Sequence, residues 1–203
     1  MWASTTPLTF FKNSCYDYVR WQNKATQFYI AARLLYFQDL ISPSVFCAFQ
    51  AVENLMKATI LFYKGIPFAE GFGHALKKME REINSQIIKR ISKKGRLKKL
   101  AIPAYFVHEN RFQALSRYPR VGKGIGVGGF VIEDLDQLMF DLLKVVPFQF
   151  NTLLLNEIRK ASHSKYKEIL EKDNKCLSEL KAYLASGIQE KSADETIYKL
   201  HSG

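Results

Sequence analysis

Apolar residues recur at three- and four-residue steps from Ser14 to about Leu40: Tyr18, Trp21, Ala25, Phe28, Ala32, Leu35 and Tyr36. That period puts them on one face of a helix. Residues 1–13 show no such period and read as an irregular, flexible lead-in. Ser42-Pro43 then signals a restart, because Ser caps helices and Pro suits the first turn. The second helix runs to about Tyr63. Val45, Phe49, Val52, Met56, Ile60 and Tyr63 form its stripe, and Phe46, Leu55, Thr59 and Phe62 widen it. A helix apolar over so much of its circumference belongs at the centre of a bundle. The short connection makes the first two helices antiparallel neighbours.

Gly65 and Pro67 end the second helix. A third starts near Gly73-His74 and runs to about Ile91, with Leu76, Met79, Ile83, Ile87 and Ile88 on its apolar face. Residues 116–129 are loop-like, with five glycines between Gly122 and Gly129. Phe130 to Ile132 read as briefly extended. Glu133, Asp134 and Asp136 then open a helix at the end where its dipole favours acids. Leu135, Leu138, Met139, Leu142 and Leu143 point inward, and Pro147 stops it. A last long helix is expected over Asn151 to Leu184, closed by Gly187. The tail 186–203 is polar and read as flexible. The sum is an all-α, up-and-down bundle of about five to six helices, one domain over residues 14–185.

Charge changes the picture. The chain of 203 residues carries a net charge of +11. Residues 77–123 hold fourteen Lys/Arg and three acids, Glu80, Glu82 and Glu109, so this stretch accounts for the whole excess. A field this concentrated attracts polyanions. Its densest part contains Lys89, Arg90, Lys93, Lys94, Arg96, Lys98 and Lys99. No apolar run approaches the ~18 residues of a membrane span, and no basic segment precedes an apolar run as in a signal peptide. Cys15, Cys47 and Cys176 are odd in number and far apart, with neither zinc nor disulfide spacing. The expected location is the cytoplasm. No metal or other cofactor is expected.

Candidate chemistry is sparse. Glu53 and Lys57 stand at i and i+4, a helix-supporting pair. His74 is a helix cap or a phosphate contact. His108 and Arg111 precede Arg117, Tyr118, Arg120 and Lys123 at the glycine loop. Arg forks and a Tyr ring grip phosphates and stack on bases. Gly124, Gly126 and Gly129 fit Gly-x-Gly-x-x-Gly, but no strand–helix–strand context surrounds them, so they do not make a dinucleotide site.

The segment Ala48–Ala58 (AFQAVENLMKA), then Gly65, then Gly73-His74-Ala75-Leu76, then Arg117-Tyr118-Pro119 resembles, in that order, the core of the HEPN domain family. The resemblance covers roughly residues 25–146. It implies a helical bundle, often a homodimer, associated with nucleotides, RNA and toxin–antitoxin pairs, and frequently encoded beside a nucleotidyltransferase partner. Many members are metal-independent ribonucleases with Arg, four to six residues, then His. No Arg and His here have that spacing. The leading reading is therefore a non-catalytic domain that binds nucleotide or RNA, or a protein partner. The alternatives are an endoribonuclease with an atypical site at His108, Arg111, Arg117 and Tyr118, and a purely structural dimerisation module. The width of the second helix's apolar face adds to the expectation of a dimer.

Overall fold

The computed structural model describes residues 7–64, 69, 71–89, 99–103, 106, 130–145 and 167–185, with side chains of the first helix from residue 18 on. Six helices and no strand occur among them: α1 (Pro7–Tyr36), α2 (Ile41–Lys64), α3 (Leu76–Glu82), α4 (Ile132–Val145), α5 (Lys167–Glu171) and α6 (Cys176–Ala185). The expected all-α bundle is what the chain forms.

Two long helices make its centre. α1 begins at Pro7, earlier than Ser14. The apolar period is absent there, but Pro at a helix start is itself a start signal. Its other end is a Schellman turn. Leu40 N–H donates to Leu35 O at 2.9 Å and Asp39 N–H to Tyr36 O at 3.0 Å. Asp39 between them sits at φ 58°, the left-handed region. α2 starts at Ile41, so Ser42 lies inside the helix rather than capping it. Ser44 does the joining: its buried hydroxyl donates to Ala32 O of α1 at 2.8 Å. At the far end of the hairpin, Tyr18 and Phe62 meet with ring centroids 5.3 Å apart. The two helices are antiparallel, as expected.

α2 is covered on nearly every side. Sixteen of its 24 residues are buried, from Ser44 to Leu61. It is long and apolar enough to cross a membrane by length and composition, contrary to the expectation that no run approaches that size. Most of that stretch is packed inside the bundle. The same burial corrects the argument that α2 needs a second copy to cover it: one chain already does so.

α3 continues from Glu82 into a π-helical segment, Ile83–Ile88. Leu76, Met79, Ile83, Ile87 and Ile88 are buried, matching the expected face. Two polar residues of this stretch hold the chain that returns after the basic run. Asn84 brackets Leu100, donating to its O at 2.9 Å and accepting from its N–H at 2.8 Å. Buried Glu80 accepts Ile102 N–H at 3.1 Å.

α4 packs on α2 through the expected leucines and Met139. Tyr63 of α2 donates to Val145 O at its C-terminus, 2.9 Å. Phe130 and Val131 lie outside regular structure, and Ile132 already belongs to α4. Of the expected single C-terminal helix, residues 151–166 lie outside the described residues, and the rest is broken into α5 and α6. Asp173 adopts φ 53°, and Asn174 accepts Cys176 N–H at 3.2 Å to start α6. Asp and Asn tolerate the left-handed conformation and cap helices with their side chains.

Arg33 fastens this C-terminal part to α1. Its side chain is 0% exposed. It forms an ion pair with Asp136 of α4, donates through Nε to Ile169 O at 2.8 Å, and donates through Nη2 to Lys172 O. Those carbonyls lie at the end of α5, where a helix leaves acceptors unpaired and favours a cation. Tyr29 donates to Asp136 at 2.6 Å and accepts from Asn174 at 3.1 Å. Asp136 is therefore a core partner, rather than one of three acids serving the α4 dipole.

Candidate functional site: a cationic helix face beside an oriented histidine

α3 sorts its charges by sign. Its acids turn toward the protein. Glu80 is buried and pairs with Lys77, and Glu82 pairs with Lys64 at the end of α2. Lys78, Arg81 and Lys89 are exposed and have no ion-pair partner among the described residues. With Ser85, also exposed, they recur at helical spacing along one outer face. Lys99, exposed too, neighbours Leu100, which Asn84 holds against the same helix. The two described flanks of the basic run, Lys89 and Lys99, thus both lie beside this helical stretch. The outcome is a face whose cations are free to meet an anion, with the neutralising carboxylates spent internally.

The second feature lies just before α3. Glu53 and Lys57 of α2 form the expected pair, Nζ to Oε1 2.7 Å. Both are buried, which an i, i+4 surface pair would not be. Lys57 also lies over the Trp21 ring of α1, 5.1 Å from its centroid. Beside them Asn54 donates to Gln50 O at 2.6 Å, so Gln50, Glu53, Asn54 and Lys57 form one polar stripe on an otherwise apolar helix. His74 reaches across from the α3 side. Its Nδ1 is 2.9 and 3.0 Å from the two Glu53 carboxylate oxygens. A carboxylate only accepts, so Nδ1 carries the proton and donates. The side chain remains 56% exposed. Nε2 faces away from Glu53 and makes no hydrogen bond among the described residues. His74 is not a cap; the residue before α3 is Ala75, without a side-chain cap bond.

Gly73 makes this approach feasible. Its φ is +54°, and Ala75 N–H donates to Phe72 O at 3.0 Å to close the turn. A β-branched residue is strained at such a φ.

Of the expected site residues, His74, Glu53 and Lys57 come together, and Lys89 and Lys99 flank the α3 face. Arg90, Lys93, Lys94, Arg96, Lys98, His108, Arg111, Arg117, Tyr118, Arg120 and Lys123 lie outside the described residues. Lys78 and Arg81 were missed as site residues. Their signal was present: alternation of basic and acidic residues over Lys77–Glu82 at helical phase, acids inward and cations outward. No cluster of His, Cys, Asp and Glu suited to a metal occurs among the described residues.

A helical bundle whose central helix carries a buried Glu–Lys pair met by a His from the turn before the next helix is the class the fold defines. The family model of the HEPN domain matches residues 18–120, half of the chain, and the chain belongs to this nucleotide- and RNA-associated family. Comparison with curated proteins and with solved structures finds no match.

Proposed function

We propose that this HEPN domain binds the phosphate backbone of single-stranded RNA along the outer face of α3 and its continuation, through Lys78, Arg81, Lys89 and Lys99. The observation carrying the reading is the sorting of charge on α3. Lys78, Arg81, Lys89 and Lys99 are exposed without acidic partners among the described residues, while Glu80 and Glu82 are turned in and paired. Cations left in this state release counterions from a polyanion on contact, which drives binding. RNA is favoured over a nucleotide because the cations are spread along a helix face rather than gathered in a pocket. The binding is sequence-tolerant, since phosphate contacts position a strand but carry no base information.

Fluorescence anisotropy with a labelled single-stranded RNA tests this across a salt series. Four phosphate contacts give a slope of log affinity against log salt of about −3, at about −0.7 per contact for single strands. The double reversal Lys78→Glu, Arg81→Glu lowers the slope's magnitude by roughly half and weakens binding at least tenfold at low salt. Wild-type protein that binds no RNA at low ionic strength would sink the reading.

A further inference from the structure

We propose that the end of the bundle where α1 stops and α2 and α4 begin is a docking surface for a basic amphipathic helix of a partner protein. The proposal is independent of the RNA-binding reading above.

Three large apolar side chains are exposed among the described residues, and all three belong to this end. Leu34, 44% exposed, is in the last turns of α1; Leu40, 50% exposed, is in the turn to α2; Val131, 40% exposed, stands just before α4. The three helix ends are joined from inside. The Tyr36 ring of α1 meets that of Phe130, the neighbour of Val131, with centroids 5.8 Å apart. Leu40 is fixed by its N–H bond to Leu35 O. Single exposed aliphatics are ordinary on a soluble surface, whereas several at one place with a polar rim mark a contact surface.

The rim is acidic, in a chain whose net charge is +11. Residues 34–43 and 130–134 contain Asp39, Glu133 and Asp134 and no Lys, Arg or His. At the edge, Lys172 lies over the Phe37 ring and is followed by Asp173. The helix dipole accounts for acids in the first turn of α4. It does not account for the exposed aliphatics beside them, nor for the state of Glu133. The Oε2 of Glu133 is enclosed, yet it makes no hydrogen bond among the described residues. An enclosed carboxylate oxygen without a donor is costly, and a donor from outside relieves it.

Charge decides the occupant. The carboxylates repel RNA and an anionic membrane surface alike. They attract a Lys or Arg side chain, whose aliphatic stem can lie on Leu40 and Val131 while its charged head meets the rim. A helix with leucines along one face, edged by lysines, satisfies both features with one element. The cationic face of α3 lies toward the other end of α2, where Glu82 pairs with Lys64, so the two surfaces can be occupied together.

The test uses the full chain and three labelled synthetic peptides: leucines at helical spacing edged by lysines, a scramble of the same composition, and the first peptide with glutamate for lysine. In fluorescence anisotropy, wild-type protein is expected to bind the first and to bind the other two roughly tenfold more weakly or less. The double variant Leu40→Ser, Val131→Ser should lose about tenfold or more in affinity, as when apolar anchors are removed from an interface. Glu133→Gln should weaken binding a few-fold and flatten its salt dependence. These positions lie at the surface, and circular dichroism checks that each variant folds. Affinity unchanged in the double variant, or equal for the scrambled peptide, overturns the proposal. A wild-type dimer in sedimentation that the double variant dissolves also overturns it, because a second copy is then the occupant. So does binding to phospholipid vesicles that the double variant abolishes. Failure to bind RNA would overturn the reading of α3 and leave this one standing.

Discussion

Replacing Arg33 with Met is the sharpest test of how this bundle is held closed. The guanidinium is fully enclosed and serves three acceptors on two different parts of the chain: Asp136, Ile169 O and Lys172 O. Burial pushes the Asp136 carboxyl above its ordinary value, and Arg33 only partly offsets this. So the ion pair is not a large net stabiliser. Breaking it is a different matter. Met fills the volume but leaves a buried carboxylate without a cation and two helix-end carbonyls without donors. Removing one partner of such a pair costs about 3–5 kcal/mol. For a chain of this length each kcal/mol lowers Tm by roughly 2–4 °C, so the loss is about 6–20 °C. Arg33→Lys keeps the charge but cannot make the fork, and falls between the two. Urea and thermal unfolding measure the global effect. Amide exchange should also show residues 167–177 opening selectively, because Arg33 is what ties them to α1. A loss under about 1 kcal/mol for Arg33→Met, with unchanged exchange at 167–177, would refute the reasoning.

Asp39→Gly should raise Tm by a few degrees. Asp39 occupies a left-handed position at 58° that costs an L-residue about 1 kcal/mol and costs glycine nothing sterically; an unchanged or lower Tm in a thermal melt counts against the Schellman assignment. The second prediction concerns pH. The folded Asp136 carboxyl sits above its ordinary 3.8, chiefly through burial. The folded state therefore holds this proton more tightly than the unfolded one. Its contribution is fully present below 3.8 and is lost as pH rises through the folded value. Urea midpoints of wild type and Asp136→Asn, taken upward from about pH 3.5, should differ in slope by that decline, and parallel curves would exclude it.

Much of the bundle was legible in the period of its apolar residues. α2 and α4 present their expected faces, and the α1–α2 pairing followed from a short connection. The misses have physical causes. Arg33 is a charge in phase with Tyr29 and Ile30, and Asp136 is in phase with Met139 and Leu143. One charge of each sign at apolar positions of two helices is a pairing signal, but only once those helices are known to touch. The break between α5 and α6 was written in Asp173-Asn174, which reads as an ordinary polar stretch until its backbone conformation is known. Gly73-His74 was recognised as a helix start, yet its partner Glu53 lies 21 residues away on another helix. Periodicity reports which face is inward, not which residue meets which. The charge excess was visible as a segment, while the inward turn of Glu80 and Glu82 required the fold.

The distances along the chain between Arg33 and its acceptors set an order of events during synthesis. The α1–α2 hairpin has its Ser44–Ala32 bond within twelve residues and can close early. Arg33 must wait for Asp136, 103 residues later, and for Lys172, 139 residues later. At ~5–20 residues per second a ribosome needs about 7–30 s to supply them. Throughout that interval the nascent hairpin carries a solvated guanidinium at the position where the finished bundle admits no water. The family-matched span is complete by residue 120, yet the last lock engages only after the chain has grown nearly half as long again.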